Sequence, residues 1–136
     1  MKLKNLIALS FAVTFCSFGG LAHANKYNID EMYAQIEEIG QPPLKVVKQY
    51  QKVYKAQIYN QWKQPVDSKG AYVRVRMFIN PQGLVKPETI RVETLTDELR
   101  RSMIDAIATA QPFLLPTDRA TASKARKFEG VFFVTK

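Results

Sequence analysis

Between Leu44 and Trp62 the apolar positions Val47, Tyr50, Tyr54, Ile58 and Trp62 recur at spacings of three and four, with Val46 and Val53 beside them. Lys45, Lys48, Gln51 and Lys52 fall at other angles, so the pattern is one apolar stripe of an α-helix with a solvated lysine face. Pro42 and Pro43 suit its first turn, where the amides have no partner, and Pro65 lies past its end. Trp62 and the Tyr50/Tyr54 stripe are therefore assigned to the core. From Ala71 to Asn80 the period changes to two: Ala71, Val73, Val75, Met77 and Ile79 face one way, and Tyr72, Arg74, Arg76, Phe78 and Asn80 the other. The turn Asn80-Pro81-Gln82-Gly83 predicts a return strand over Leu84–Thr94, with Leu84, Ile90 and Val92 on one face. Pro87, lacking an N–H, puts that strand at a sheet edge.

Thr96-Asp97-Glu98 reads as the start of a second helix, with Thr96 as N-cap and acids in the first turn. Leu99, Met103, Ile104, Ile107 and Ala110 form its buried stripe, and Pro112 closes it. An apolar connector, Phe113 to Pro116, and a polar loop, Thr117 to Ala125, lead to a last strand over Arg126–Thr135. Upstream, a weak amphipathic stretch from Asp30 to Ile39 (Met32, Tyr33, Ile36, Ile39) belongs to a polar lead, 25–43. The hairpin makes the first two strands antiparallel, and the second helix returns the chain so that the last strand settles antiparallel beside the first. The expected fold is α+β, with two helices packed on one face of a three-stranded antiparallel sheet in the order 2-1-3.

Residues 1–24 have another character. Lys2 and Lys4 precede a mostly apolar run from Leu6 to Leu21, and Ala22-His23-Ala24 offers a small-x-small cleavage site before Asn25. The expectation is a cleaved secretory signal peptide, against an uncleaved anchor, since the run is shorter than a span and carries Ser10, Thr14, Ser17 and Gly19-Gly20. Cleavage changes the chemistry available. The only Cys, Cys16, and the only His, His23, leave with the leader, and so do two of the 20 basic residues, so 18 stand against 12 acidic ones and the net charge falls from +8 to +6. Zinc sites with the usual ligands, thiol nucleophiles, serine–histidine triads and histidine bases are excluded together. No P-loop or Gly-x-Gly-x-x-Gly occurs. The chain is read as no enzyme, with no catalytic residues, no metal and no cofactor.

The run YNQWKQPVDSKGAYVRVRMFINPQGLVKPETIRVETLTDELRRSMIDAIATAQPFLLP resembles the C-terminal domain shared by the TonB and TolA envelope proteins. An aromatic-ended helix, a Pro, an alternating strand, a Pro-x-Gly turn, a valine-bearing second strand, an alanine-containing helix and a closing Pro follow in order. Trp62, Pro65, Val73, Val75, Ile79, Gly83, Val85, Val92, Leu99, Ala106, Ala108, Ala110 and Pro112 fit that pattern, and FEGVFFV looks like its last strand. The likeness covers residues 44–135, within a domain set at 44–136. It implies a module of the Gram-negative-type periplasm that binds a periplasmic or outer-membrane protein segment, often by pairing it with an exposed sheet edge. The energy-transducing members have a motor-engaging membrane helix and a long linker; here only about 19 residues separate leader from first helix, so a free adaptor in envelope transport or maintenance is expected. Partners are a protein segment or a second copy of the chain, not nucleic acid, with no stable membrane insertion after cleavage.

An edge strand pairs readily with another polypeptide. In the last strand Phe128, Phe132 and Val134 share one side and Val131 and Phe133 the other. Lys127, Glu129, Val131 and Phe133 are therefore the candidate partner-binding residues, with Arg74 and Arg76 on the uncovered face. Arg74 and Arg76, with Tyr72 and Phe78, are either a solvated strand face or a basic-aromatic surface for anionic envelope components such as lipopolysaccharide or headgroups.

Overall fold

The computed structural model describes residues 26–135, so the expected signal peptide lies outside the described residues. In chain order the elements are α1 (Ile29–Ala34), α2 (Pro43–Gln61), β1 (Tyr72–Phe78), a 3-10 turn (Pro87–Thr89), β2 (Arg91–Glu93), α3 (Asp97–Ala110), α4 (Arg119–Ala125) and β3 (Lys127–Phe133). The sheet order is β2-β1-β3 with both pairings antiparallel. This is the expected α+β arrangement. Strict alternation in β1 buries Val73, Val75 and Met77 completely and leaves Tyr72, Arg74, Arg76 and Phe78 in solvent.

One face of the sheet carries the core. Leu99, Met103, Ala106, Ile107 and Ala110 of α3 are buried, and the Thr96 side chain accepts from the Leu99 N–H at 3.1 Å, as an N-cap should. α2 contributes Val46, Val47, Tyr50, Val53, Tyr54 and Ile58, and Trp62 at its end is 6% exposed, its Nε1 donating to Ser102 Oγ at 2.9 Å. Tyr54 sits at the centre, fully buried, with its hydroxyl donating to the Leu114 carbonyl at 2.6 Å and its ring edge-on to Phe113 and Phe128. Burial pushes that hydroxyl's pKa up. Gly130 in β3 faces the same core; a Cβ there would lie 2.9 Å from the Phe128 ring, so the missing side chain is what lets that ring approach the strand so closely.

The structure differs from expectation in three places. First, the return strand does not run from Leu84 to Thr94. Pro87 opens a 3-10 turn, a conformation its fixed φ favours, and only Arg91–Glu93 pair with β1. As a result Val85 and Ile90 are buried whereas Leu84 is exposed, and Leu84 does not share their face. Second, the expected polar loop Thr117–Ala125 holds α4. Asp118 caps it, accepting from the Thr121 N–H at 2.9 Å and hydroxyl at 2.8 Å, and Thr121 and Ala125 are the residues it buries. Four helices are therefore described rather than two, although α2 and α3 remain the pair that covers the sheet.

Third, the apolar stripe of the lead holds only in part: Tyr33 and Ile36 pack against the core, as expected, but Ile39 does not, and polar contacts complete the attachment. The Tyr33 hydroxyl of α1 donates to Gln57 Oε1 at 2.7 Å and accepts from the Leu114 N–H at 3.1 Å, and burial pushes its pKa up to about 12. Gln57 Nε2 in turn donates to the carbonyls of Ala110 and Pro112 at 2.5 and 2.8 Å, the latter following the cis Gln111–Pro112 peptide. Ile39, expected on the apolar face, is 98% exposed. Beside it Glu38 accepts from the Tyr50 hydroxyl at 2.7 Å and from the Thr117 N–H and hydroxyl, both at 3.0 Å. Burial alone would raise the Glu38 pKa, but these donors favour the anion and hold it below its ordinary value.

Two expected outcomes follow from these contacts. Because the folded Glu38 pKa is depressed, its stabilisation is complete above the ordinary value of 4.5 and is lost as pH falls through the lower folded value. Urea midpoints measured from pH 7 to pH 3 should drop less in Glu38→Gln than in the parent over that acid range. Gly83, in the turn before Val85, has φ +84°, and a Cβ there would meet the Phe113 carbonyl at 2.3 Å; Gly70, φ +91°, has open space around it. Gly83→Ala should cost about 2–4 kcal/mol in urea unfolding, combining left-handed strain with overpacking, and Gly70→Ala about 1–2 kcal/mol from strain alone.

Candidate functional site

Which main-chain groups of β3 face outward follows from the ladder. The Val134 N–H donates to the Ala71 carbonyl and the Ile79 N–H to the Arg126 carbonyl, both at 2.9 Å. Even-numbered residues from Phe128 to Val134 therefore turn their N–H and C=O toward β1, as Arg126 does its C=O, its N–H closing α4 on the Ala122 carbonyl. Odd-numbered Lys127, Glu129, Val131 and Phe133 turn theirs away from the sheet. β3 is an edge, as its place in the β2-β1-β3 order requires.

That edge is not open along its whole length. Gln51 of α2 donates from Nε2 to the Lys127 carbonyl at 2.9 Å and to the Ala125 carbonyl at 3.3 Å. Two turns later, the Tyr59 hydroxyl accepts from the Phe133 N–H at 2.9 Å, and just beyond the strand Gln64 Oε1 accepts from the Thr135 N–H at 2.8 Å. Side chains of the helix and of the segment after it thus occupy both ends. Between them the outward N–H and C=O of Glu129 and Val131 have no partner among the described residues. Four adjacent main-chain groups form a window two residues wide.

The same residues carry their side chains to the uncovered face. Antiparallel register sets Arg74 between Glu93 and Val131, Arg76 between Arg91 and Glu129, and Tyr72 beside Phe133. All six sequence-predicted residues, Arg74, Arg76, Lys127, Glu129, Val131 and Phe133, therefore come together on one surface. Tyr72 is 44% exposed, and Phe78 and Phe133 are each 55% exposed, which puts three aromatic rings on it. The arginines do not stand free: Arg76 Nη2 lies 3.0 Å from Glu129 Oε2 and Arg74 Nη1 3.8 Å from Glu93 Oε1. Both pairs are more than half exposed, so they contribute little to stability, but they leave Arg91 and Lys127 as the excess positive charge of the face.

Sequence reasoning missed the α2 side chains that frame the window. Gln51 and Tyr59 lie two turns apart with Lys55 between, at i, i+4 and i+8, along the border of the apolar stripe; the spacing was visible, but it does not by itself say that the border meets a strand. Comparison of the chain with family models, with curated proteins and with solved structures gives no match. Among the described residues, no helix is long and apolar enough to cross a membrane.

The parity of β3 has a direct test in adjacent proline substitutions. Val131→Pro removes an outward N–H and should lower stability by about 1 kcal/mol, whereas Gly130→Pro removes a ladder N–H and adds a carbon against Phe128, costing about 3 kcal/mol or more. Thermal melts followed by circular dichroism separate the two; equal losses would place the outward groups wrongly.

Proposed function

We propose that the protein is a periplasmic protein–protein interaction module of the TonB/TolA C-terminal type, which binds an extended segment of a partner by strand addition to β3, in envelope transport or maintenance. The observation that carries this reading is the pair of edge residues, Glu129 and Val131, whose outward main-chain groups have no partner among the described residues. Main-chain pairing there supplies affinity, and the alternating side chains beside it supply selectivity. The framed window favours a short docked segment, about four to six residues, over a long strand. The chemistry is recognition, with no catalytic step. Charge-driven binding of anionic envelope material is less well supported, because Arg74 and Arg76 are engaged by Glu93 and Glu129.

Salt and proline separate these mechanisms. A partner captured by periplasmic crosslinking should bind the parent with little change between 50 and about 200 mM salt, lose at least tenfold in affinity with Val131→Pro, and tolerate the double variant Arg74→Glu/Arg76→Glu within about threefold. Binding that ignores the proline and collapses with salt assigns the surface to anion capture instead.

A further inference from the structure

The stripe of α2 that frames the β3 window has a cation at its middle. Lys55 lies one helical turn from Gln51 and one from Tyr59, and its Nζ stands 5.6 Å from the centroid of the Phe132 ring. Gln51 holds the Lys127 end of the edge and Tyr59 the Phe133 end, so Lys55 overhangs the stretch between them, where Glu129 and Val131 are unpaired. The three ion pairs among the described residues join Arg74, Arg76 and Arg100 to carboxylates, and none involves Lys55. The next lysine of the helix, Lys52, lies elsewhere, lining a shallow cleft with Met32, Gln35 and Ile36 of the lead. Only Lys55 is placed over the edge by these contacts.

Resting on the strand-addition reading, we propose that Lys55 selects the partner: the segment docked on β3 carries a carboxylate on its helix-facing side, next to apolar side chains on its open side. The pleat dictates the alternation. A residue opposite Gly130 points to the same side as Phe128 and Phe132, which is the side of α2, and its two neighbours point to the open face beside Glu129 and Val131. On that open face Val131 and Phe133 present apolar surface beside Glu129, whose carboxylate is already paired with Arg76. On the helix side a carboxylate meets an ammonium held over an aromatic ring beneath the overhang of a helix, where a charge pair is screened less than at a free surface. The partner is therefore an acidic–apolar extended segment.

Two capped pentapeptides serve as probes, Thr-Val-Glu-Val-Thr and Thr-Val-Gln-Val-Thr, titrated into the isotope-labelled full chain with amide shifts and affinity read together. Both peptides should move the Glu129 and Val131 amides, and the glutamate peptide should bind about fivefold more tightly, a preference that shrinks with salt. Lys55→Gln should abolish the preference and Lys55→Arg should keep it. If both peptides move those amides but bind equally, or if the preference survives in Lys55→Gln, strand addition stands and the role of Lys55 is overturned. If neither peptide moves them, strand addition itself fails. A dimer seen by sedimentation at the same concentrations, which the glutamate peptide does not dissociate, would give the edge to a second copy of the chain and overturn the proposal.

Discussion

The seam between α2 and β3 is the contact on which the rest of the domain depends. Tyr54 reaches Phe128, and Tyr59 and Trp62 reach Phe132, so the longest helix and the last strand are joined by rings from both partners. Aromatic groups of this size bury more apolar area per residue than the valines of β1 can, and their edge-on and tilted contacts fix the angle at which the helix crosses the strand. That angle decides what the border of the helix does. Tilted away from the sheet, Gln51 and Tyr59 would be solvated; laid along it, they reach the outward main chain of β3.

The lead segment reinforces the seam from the other side. Tyr33 joins α1 to Gln57, and Gln57 joins α2 to the carbonyls at the end of α3. A buried amide of this kind is costly unless satisfied, and here each of its polar atoms has a named partner. Glu38 adds an anionic clasp to Tyr50 and Thr117. The stretch before α2 thus acts as a strap over the helix's outer side and leaves the β3 edge untouched.

Much of this was legible from residue order alone. The three-and-four spacing of α2, the alternation of β1, the cap at Thr96 and the 2-1-3 order all rest on local rules that agree with one another. The failures were of two physical kinds. Short elements carry too few periods to be read: α4 spans seven residues, and β2 keeps three because Pro87 preferred a turn. Side chains whose role depends on a crossing angle were also out of reach, and this is why the four candidate residues of β3 were found while Gln51, Lys55 and Tyr59 were not.

The width of the gap on β3 also bears on self-association. At the opposite margin of the sheet, β2 offers only a three-residue strand interrupted by the turn at Pro87. Copies of the chain cannot stack margin to margin into a growing ribbon, because one margin is stubby and the other is clamped at both ends. The one symmetric join left is like with like, which closes on itself after two molecules. The fold thereby keeps unpaired main-chain groups on β3 without the hazard of fibre growth.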